Sequence, residues 1–130
     1  MAKTFKQMVS DAKAEVGKTM SAQELQQALR GGQKPLVIDV RQTEEVTANG
    51  AIPGSLNIPL GVLPIKADNE LPESFREARL ADRDQPIVTT CAAGGQASLA
   101  AKTLKDMGFT NVTILEGGTK AWKDAGLPTQ

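Results

Sequence analysis

Short runs of apolar and β-branched residues constrain the fold of this chain more than any other feature. They lie at 36–40 (LVIDV), 86–90 (PIVTT) and 111–115 (NVTIL). Because the first run lacks the strict alternation of a strand with one solvent-exposed face, it predicts a strand buried on both faces, as in a parallel sheet, and the other two runs predict strands as well. A further strand is predicted at 55–59.

Segments with helical periodicity alternate with these strands. Apolar residues recur at three- and four-residue spacing over 5–16 and again over 99–107. The pair Ser21 and Glu24 has the spacing of a capping box, which predicts the start of another helix. A helix is also predicted at 72–80, within a surface loop, and a last short one around Trp122.

Strands that alternate with helices indicate a single α/β domain with a mainly parallel sheet. The length of 130 residues suits one domain with one sizeable core. No segment approaches the run of about eighteen apolar residues that a transmembrane helix needs. We therefore expect a cytoplasmic protein that does not contact membranes.

Composition excludes several classes of function. The 15 basic residues are balanced by 15 acidic ones, so no basic excess is present to bind nucleic acid. The chain has one cysteine and no histidine, which excludes an intramolecular disulfide and argues against a zinc site. A Cys-His pair and a Ser-His-Asp triad are excluded as well. No metal and no cofactor is predicted.

The single cysteine, Cys91, stands directly after a predicted strand and before a predicted helix. It is followed by small residues, Ala92, Ala93, Gly94 and Gly95. Such a loop can turn its backbone N–H groups inward and, with the free N–H groups of the helix start, form a nest for negative charge. A thiolate would be stabilised there without histidine. The alternative at this point is a buried structural cysteine.

The loop Cys91-Ala92-Ala93-Gly94-Gly95-Gln96 resembles the active-site loop of the rhodanese family of sulfurtransferases, Cys-x-x-Gly-x-Arg. Two more segments resemble family signatures. They are VIDVR at 37–41 with GAIPGSLNIP at 50–59, and LEGGTKAW at 115–122 with AGLP at 125–128. Because the three motifs occur in the expected order, the signal is stronger than the loop alone.

This resemblance implies a rhodanese-like domain at 19–130, with a mostly parallel five-stranded central sheet flanked by helices, and an N-terminal helical extension at 1–18. It implies that Cys91 accepts a sulfane sulfur, becomes a persulfide and passes the outer sulfur to a thiol acceptor. The donor would be a small sulfur compound or a protein persulfide. The implied substrate-binding residues, through their N–H groups, are Ala92, Ala93, Gly94, Gly95, Gln96 and Ala97.

Two departures from the family pattern matter. Gln96 replaces the usual arginine, so we expect poor use of thiosulfate. Ala51 replaces a frequent histidine in a position that we interpret as structural. A phosphatase is rejected because its loop needs arginine at the place of Ala97. A non-catalytic rhodanese-like binding module remains the alternative function, and the oligomeric state is left open.

Other residues near the predicted site are interpreted as structural. Asp39 and Arg41 are expected to form an ion pair or a hydrogen-bonded strand end, with a role in lining the site as the alternative. Trp122 is expected to pack a helix on the sheet, with a role at the rim of the site as the alternative, and Gly117-Gly118 to form a tight turn.

Overall fold

The computed structural model describes residues 2–130. Its helices are α1 (Phe5–Val16), α2 (Ala22–Arg30), α3 (Thr43–Asn49), α4 (Leu63–Ala67), α5 (Gly95–Asp106) and α6 (Gly118–Asp124). Its strands are β1 (Thr19–Met20), β2 (Leu36–Asp39), β3 (Leu56–Asn57), β4 (Ile87–Thr90) and β5 (Val112–Leu115). Short 3₁₀ turns lie at Leu60–Val62, Glu73–Phe75 and Ala78–Leu80.

The five strands form one sheet in the order β1-β5-β4-β2-β3, and each neighbouring pair is parallel. The predicted α/β class and five-stranded sheet are confirmed. Because all the strands run the same way, their carboxyl ends share one edge of the sheet. Asp39 at the end of β2 lies opposite Thr90 at the end of β4. The loop that begins at Cys91 therefore starts at this edge.

Helices cover both faces of the sheet, which explains why the central strands show little polar alternation. On one face α4 and α5 pack on residues that include Ile38, Ile87 and Ile114. On the other face α2 and α6 pack on Val37, Val88 and Leu115. Trp122 of α6 is 2% exposed and belongs to this second cluster, so its predicted packing role is confirmed.

The start of α2 follows the predicted capping box. The Ser21 hydroxyl accepts from the Glu24 N–H at 3.1 Å, and the Glu24 carboxylate accepts from the Ser21 N–H at 2.9 Å. A second box, with Thr4 and Gln7 in the same roles, begins α1 and was not predicted. Both boxes satisfy N–H groups that a helix start leaves without partners.

The helix predicted at 72–80 is wrong. The segment contains only two short 3₁₀ turns, separated by an extended Arg76. Its apolar Phe75 is 52% exposed, so no continuous apolar face anchors a longer helix. The Glu77 N–H donates to the carbonyl of Lys66 at 2.9 Å, so it is not available to continue a helix. The short elements β1, α3 and α4 were not located from the sequence either.

Candidate active site

Cys91 follows β4 at the carboxyl edge of the sheet and is 3% exposed. Its Sγ atom accepts hydrogen bonds from the backbone N–H groups of Gly94, at 3.0 Å, and Ala97, at 3.3 Å. An apolar structural cysteine has no need of two amide donors directed at its sulfur. The local geometry is that of an anion nest with the thiol at its centre.

Of the predicted site residues, Gly94 and Ala97 donate to this sulfur, and the others lie in the same loop or in the first turn of the next helix. Gly94 has φ +110°, a left-handed conformation that favours glycine, and this turn directs the chain back over Sγ. Gly95, Gln96 and Ala97 form the first turn of α5, where N–H groups have no acceptor inside the helix. The side chains of Ala92, Ala93 and Gln96 are exposed at the rim.

The carbonyl groups of the loop are bound from the opposite side by the start of α6. The Thr119 N–H donates to the Cys91 carbonyl at 2.8 Å, and the Lys120 N–H donates to the Ala92 carbonyl at 3.0 Å. A Cβ atom at Gly118 would lie 2.6 Å from the Cys91 oxygen, so only glycine permits this approach. Gly118 also has φ +63°. Loop carbonyls held on this side leave the amides free to face Sγ.

Three hydroxyl groups, in two contacts, complete this support. Ser98 donates from Oγ to the Gly94 carbonyl at 2.7 Å, and its N–H donates to the same oxygen at 3.1 Å. The hydroxyls of Thr90 and Thr119 share a hydrogen bond of 3.0 Å. Sequence reasoning missed both contacts. The only signal for Ser98 was its position one helical turn after a loop glycine.

The predicted ion pair of Asp39 and Arg41 lies at the end of the neighbouring strand β2. Arg41 donates from Nε and from one terminal nitrogen to the Asp39 carboxylate, with a shortest distance of 2.7 Å. Both side chains are buried, at 3% and 0% exposure. Arg41 also donates to the Gly50 carbonyl at 2.9 Å. The structural interpretation of this pair is confirmed.

Several neighbouring groups shift the pKa of Arg41. Hydrogen bonds to Asp39 raise the pKa of Arg41, burial opposes that shift, and the negative charges of Asp39, Glu45 and Cys91 add to it. The charge of Arg41 is matched by that of Asp39, its partner at 2.7 Å. The loop itself has no charged side chain from Cys91 to Ala97. The groups in it that can favour negative charge are backbone N–H groups and the start of α5.

Within residues 2–130, no group of three or more His, Cys, Asp or Glu side chains is arranged to hold a metal ion. In the same part of the chain, no helix has the length and apolar character required to cross a membrane.

The fold and the site define an α/β protein with a cysteine in an amide-lined loop at the carboxyl edge of a parallel sheet. The chain belongs to the rhodanese family, since the model of the Rhodanese-like domain matches residues 21–125. The sulfurtransferase of Allochromatium vinosum is 30% identical over 109 residues, which cover 84% of this chain and 91% of that protein. The human thiosulfate:glutathione sulfurtransferase is 32% identical, covering 80% of this chain and 91% of that protein.

A solved structure extends the likeness to the whole chain. A protein of unknown function from Rhodopseudomonas palustris, described as a possible tyrosine phosphatase, has a TM-score of 0.90 and 30% identity. The match covers 100% of this chain and 96% of that one, so it includes the region of α1. The names of the two sequence relatives support a sulfurtransferase in general.

Proposed function

We propose that this protein is a sulfurtransferase that carries a sulfane sulfur as a persulfide on Cys91. The observation that carries the proposal is the pair of N–H groups, from Gly94 and Ala97, that donate to Sγ. Charge-assisted hydrogen bonds from such fixed donors stabilise an anionic sulfur without a histidine. The substrate-binding groups are the N–H groups from Ala92 to Ala97, namely those of Ala92, Ala93, Gly94, Gly95, Gln96 and Ala97.

The reaction has two displacement steps. The Cys91 thiolate attacks the outer sulfur of the donor, a new S–S bond forms, and the donor's own bond to that sulfur breaks with its electron pair on the leaving group. A thiolate acceptor then attacks the outer sulfur and releases Cys91 as a thiolate. Electrons balance within each step, so no oxidant or cofactor is required. The donor is a small sulfur compound or a protein persulfide.

The absence of charge in the loop directs the choice of donor. Gln96 is exposed at the rim, where an arginine would attract a dianion such as thiosulfate. A glutamine supplies only a neutral donor, so a small inorganic dianion gains little beyond the backbone amides. We propose that organic or protein-borne persulfides are better donors than thiosulfate.

The phosphatase description of the Rhodopseudomonas palustris relative does not transfer to this chain. Cysteine phosphatases clamp phosphate oxygens with an arginine, a role that a planar guanidinium fills through paired hydrogen bonds. Ala97 stands at that place, and no arginine follows Cys91 in the sequence. A non-catalytic rhodanese-like module is the second candidate, favoured only by the uncharged loop.

The experiment is a turnover assay with cyanide as the acceptor and thiocyanate as the product. We expect glutathione persulfide to be consumed above the uncatalysed rate, thiosulfate to react much more slowly, and Cys91→Ser to give no turnover with either donor. Turnover that survives in Cys91→Ser would remove the cysteine from the mechanism. A wild-type protein without turnover from either donor would favour the binding module.

A further inference from the structure

Helix α1 brings an aromatic side chain to the cysteine loop. A Cβ atom at Gly95 would lie 2.9 Å from Cζ and 3.0 Å from Cε2 of Phe5, so the ring rests on the glycine itself. Val9 lies behind it, at 3.7 Å from the same point. Phe5 is nevertheless 57% exposed, which leaves much of its ring open beside the loop.

The position of this ring follows from how α1 is attached. Thr4 caps the helix directly before Phe5, with its hydroxyl accepting from the Gln7 N–H at 3.1 Å. Ala12 and Val16 are buried farther along the same helix. Phe5 meets Gly95 at the start of α5, and Glu15, near the end of α1, lies 3.7 Å from Lys102 farther along α5, so the two helices run in the same direction.

Because α1 and α5 run in parallel and Phe5 meets Gly95, the first residue of α5, the ring lies at the end of α5 that joins the cysteine loop. A helical side chain also leans toward the helix start, so a side chain at residue 95 would cover the turn that holds Sγ. Phe5 occupies the place that such a side chain would take.

Glycine is therefore favoured at two adjacent positions of the loop for different reasons. Gly94 has φ +110°, which disfavours any other residue. Gly95 has no such backbone conformation, and a side chain there would have to displace the outer edge of the Phe5 ring. This contact between the glycine and the ring joins the loop to α1. Residues 1–18, which we propose as an N-terminal extension, lie outside the family match at 21–125.

We propose that Phe5 is a specificity-determining residue of the cysteine loop. Its open face forms an apolar wall that favours sulfur compounds with an aromatic or hydrocarbon body over small donors of the same charge. This inference rests on the proposed sulfur transfer at Cys91. It deepens that proposal, because the uncharged rim at Gln96 removes the attraction for inorganic anions and the wall supplies a different one.

The test uses two donors of equal charge and reacting group, benzenethiosulfonate and methanethiosulfonate. In each case the Cys91 thiolate attacks the outer sulfur, the persulfide forms, and the sulfinate leaves with the electron pair of the broken S–S bond. The preference is measured as the single-turnover loading rate with benzenethiosulfonate divided by the rate with methanethiosulfonate. Aromatic contacts of this kind account for about two- to tenfold preferences.

The variants are Phe5→Ala, Phe5→Leu and Met8→Ala. We expect Phe5→Ala to lower the rate ratio by about two- to tenfold, mainly through slower reaction of the benzene donor. Phe5→Leu keeps an apolar wall and should give an intermediate ratio. Met8→Ala is the control, because Met8 is exposed on the same helix and does not lie against Gly95. An unchanged ratio in Phe5→Ala overturns the inference.

A second readout separates this inference from the proposed function. Cys91 is the only cysteine, so alkylation by iodoacetamide and by its N-benzyl derivative reports on access to one thiol. A benzyl preference that disappears in Phe5→Ala supports the wall even if no donor loads sulfur, an outcome that would refute sulfur transfer alone. If wild type is loaded with sulfur but the rate ratio of the two thiosulfonates is the same in all variants, the apolar wall is refuted and sulfur transfer is not. A folded protein whose thiol reacts with no reagent contradicts both.

Discussion

The cysteine loop has an inner side and an outer side that differ in what holds them. On the inner side, hydrogen bonds from Thr119, Lys120 and Ser98 bind the loop carbonyls, and the groups involved are mostly buried. On the outer side, a half-exposed aromatic ring, Phe5, rests on Gly95 without a hydrogen bond. The inner side lies within the family match at 21–125, and Phe5 lies before it.

The difference suits the two sides of the loop to different roles, positioning of the amides on the inner side and selection of donors on the outer side. Directional hydrogen bonds fix where the amides point, which the proposed sulfur chemistry needs to within fractions of an ångström. Apolar contact imposes no such direction, so the outer side is suited to selecting among donors. Changes on the inner side should therefore affect stability and chemistry together, whereas changes on the outer side should affect selectivity with little loss of stability.

The largest effect is expected from Asp39→Asn, at the buried strand end beside the loop. The substitution leaves the Arg41 guanidinium buried without its counter-charge, which costs about 3–5 kcal/mol in the free energy of unfolding. Urea titration measures the loss. The matched control is Asp124→Asn, which breaks an exposed pair with Lys120 and should leave the unfolding midpoint nearly unchanged. A small loss in Asp39→Asn would show that the buried pair of Asp39 and Arg41 contributes little to the free energy of unfolding.

The second largest loss in the free energy of unfolding is expected from Gly118→Ala. The added Cβ would meet the Cys91 oxygen at 2.6 Å, in addition to the strain of φ +63°. Gly126→Ala is the control, since it has φ +75° and open space around it. A left-handed alanine costs about 1–2 kcal/mol, and we expect Gly118→Ala to cost about 1–3 kcal/mol more and to slow sulfur loading. Equal losses in the two variants would show that the loop does not depend on this approach.

Gln96→Arg tests the rim between the two sides. A charge-assisted contact is worth about 1.5–3 kcal/mol against about 1 kcal/mol for a neutral one, which predicts a gain of about three- to thirtyfold with thiosulfate. The gain should shrink at high salt, because the side chain is exposed and its charge is screened. Gln96→Met, with no charge, should show no gain. If the arginine variant is no faster at low salt, the charge of the loop does not limit thiosulfate use.

The smallest effect is expected from Gly95→Ala, on the outer side. In wild type the new methyl group displaces the Phe5 ring, whereas in Phe5→Ala that close contact is gone and Val9 lies at an ordinary van der Waals distance of 3.7 Å. Alanine in a helix is favoured over glycine by about 0.5–1 kcal/mol, so Gly95→Ala should stabilise the Phe5→Ala protein and not the wild type. A double-mutant cycle of unfolding free energies measures this coupling. Additive effects would show that the ring and the glycine are independent.

The sequence predicted the central strands and the position of Cys91 because local signals specify them. Short runs of apolar and β-branched residues predict β2, β4 and β5, and the small residues after β4 predict a loop that turns its amides inward. The two-residue strand β1 was missed because it has no periodicity, and it exists only through pairing with β5. The helix predicted at 72–80 was wrong because the Glu77 N–H donates to the carbonyl of Lys66, outside the segment, and cannot continue a helix.

The contacts around the site were less predictable than the site itself. Gly117-Gly118 was interpreted as a tight turn, and nothing local indicates that Gly118 lies against the Cys91 carbonyl. The helical pattern of α1 was visible, but its contact with Gly95 joins residues far apart in the chain. Tertiary packing determines both contacts, and a single sequence carries no signal for them.

The central claim is that Cys91 holds the transferred sulfur inside the amide nest. Intact-mass measurement after brief exposure to glutathione persulfide, with excess donor removed, tests it directly. We expect wild type to gain one sulfur atom that a reducing agent removes, and Cys91→Ser to gain none. A wild-type mass that stays unchanged while the thiol remains open to alkylation, or the same gain in Cys91→Ser, would contradict the claim.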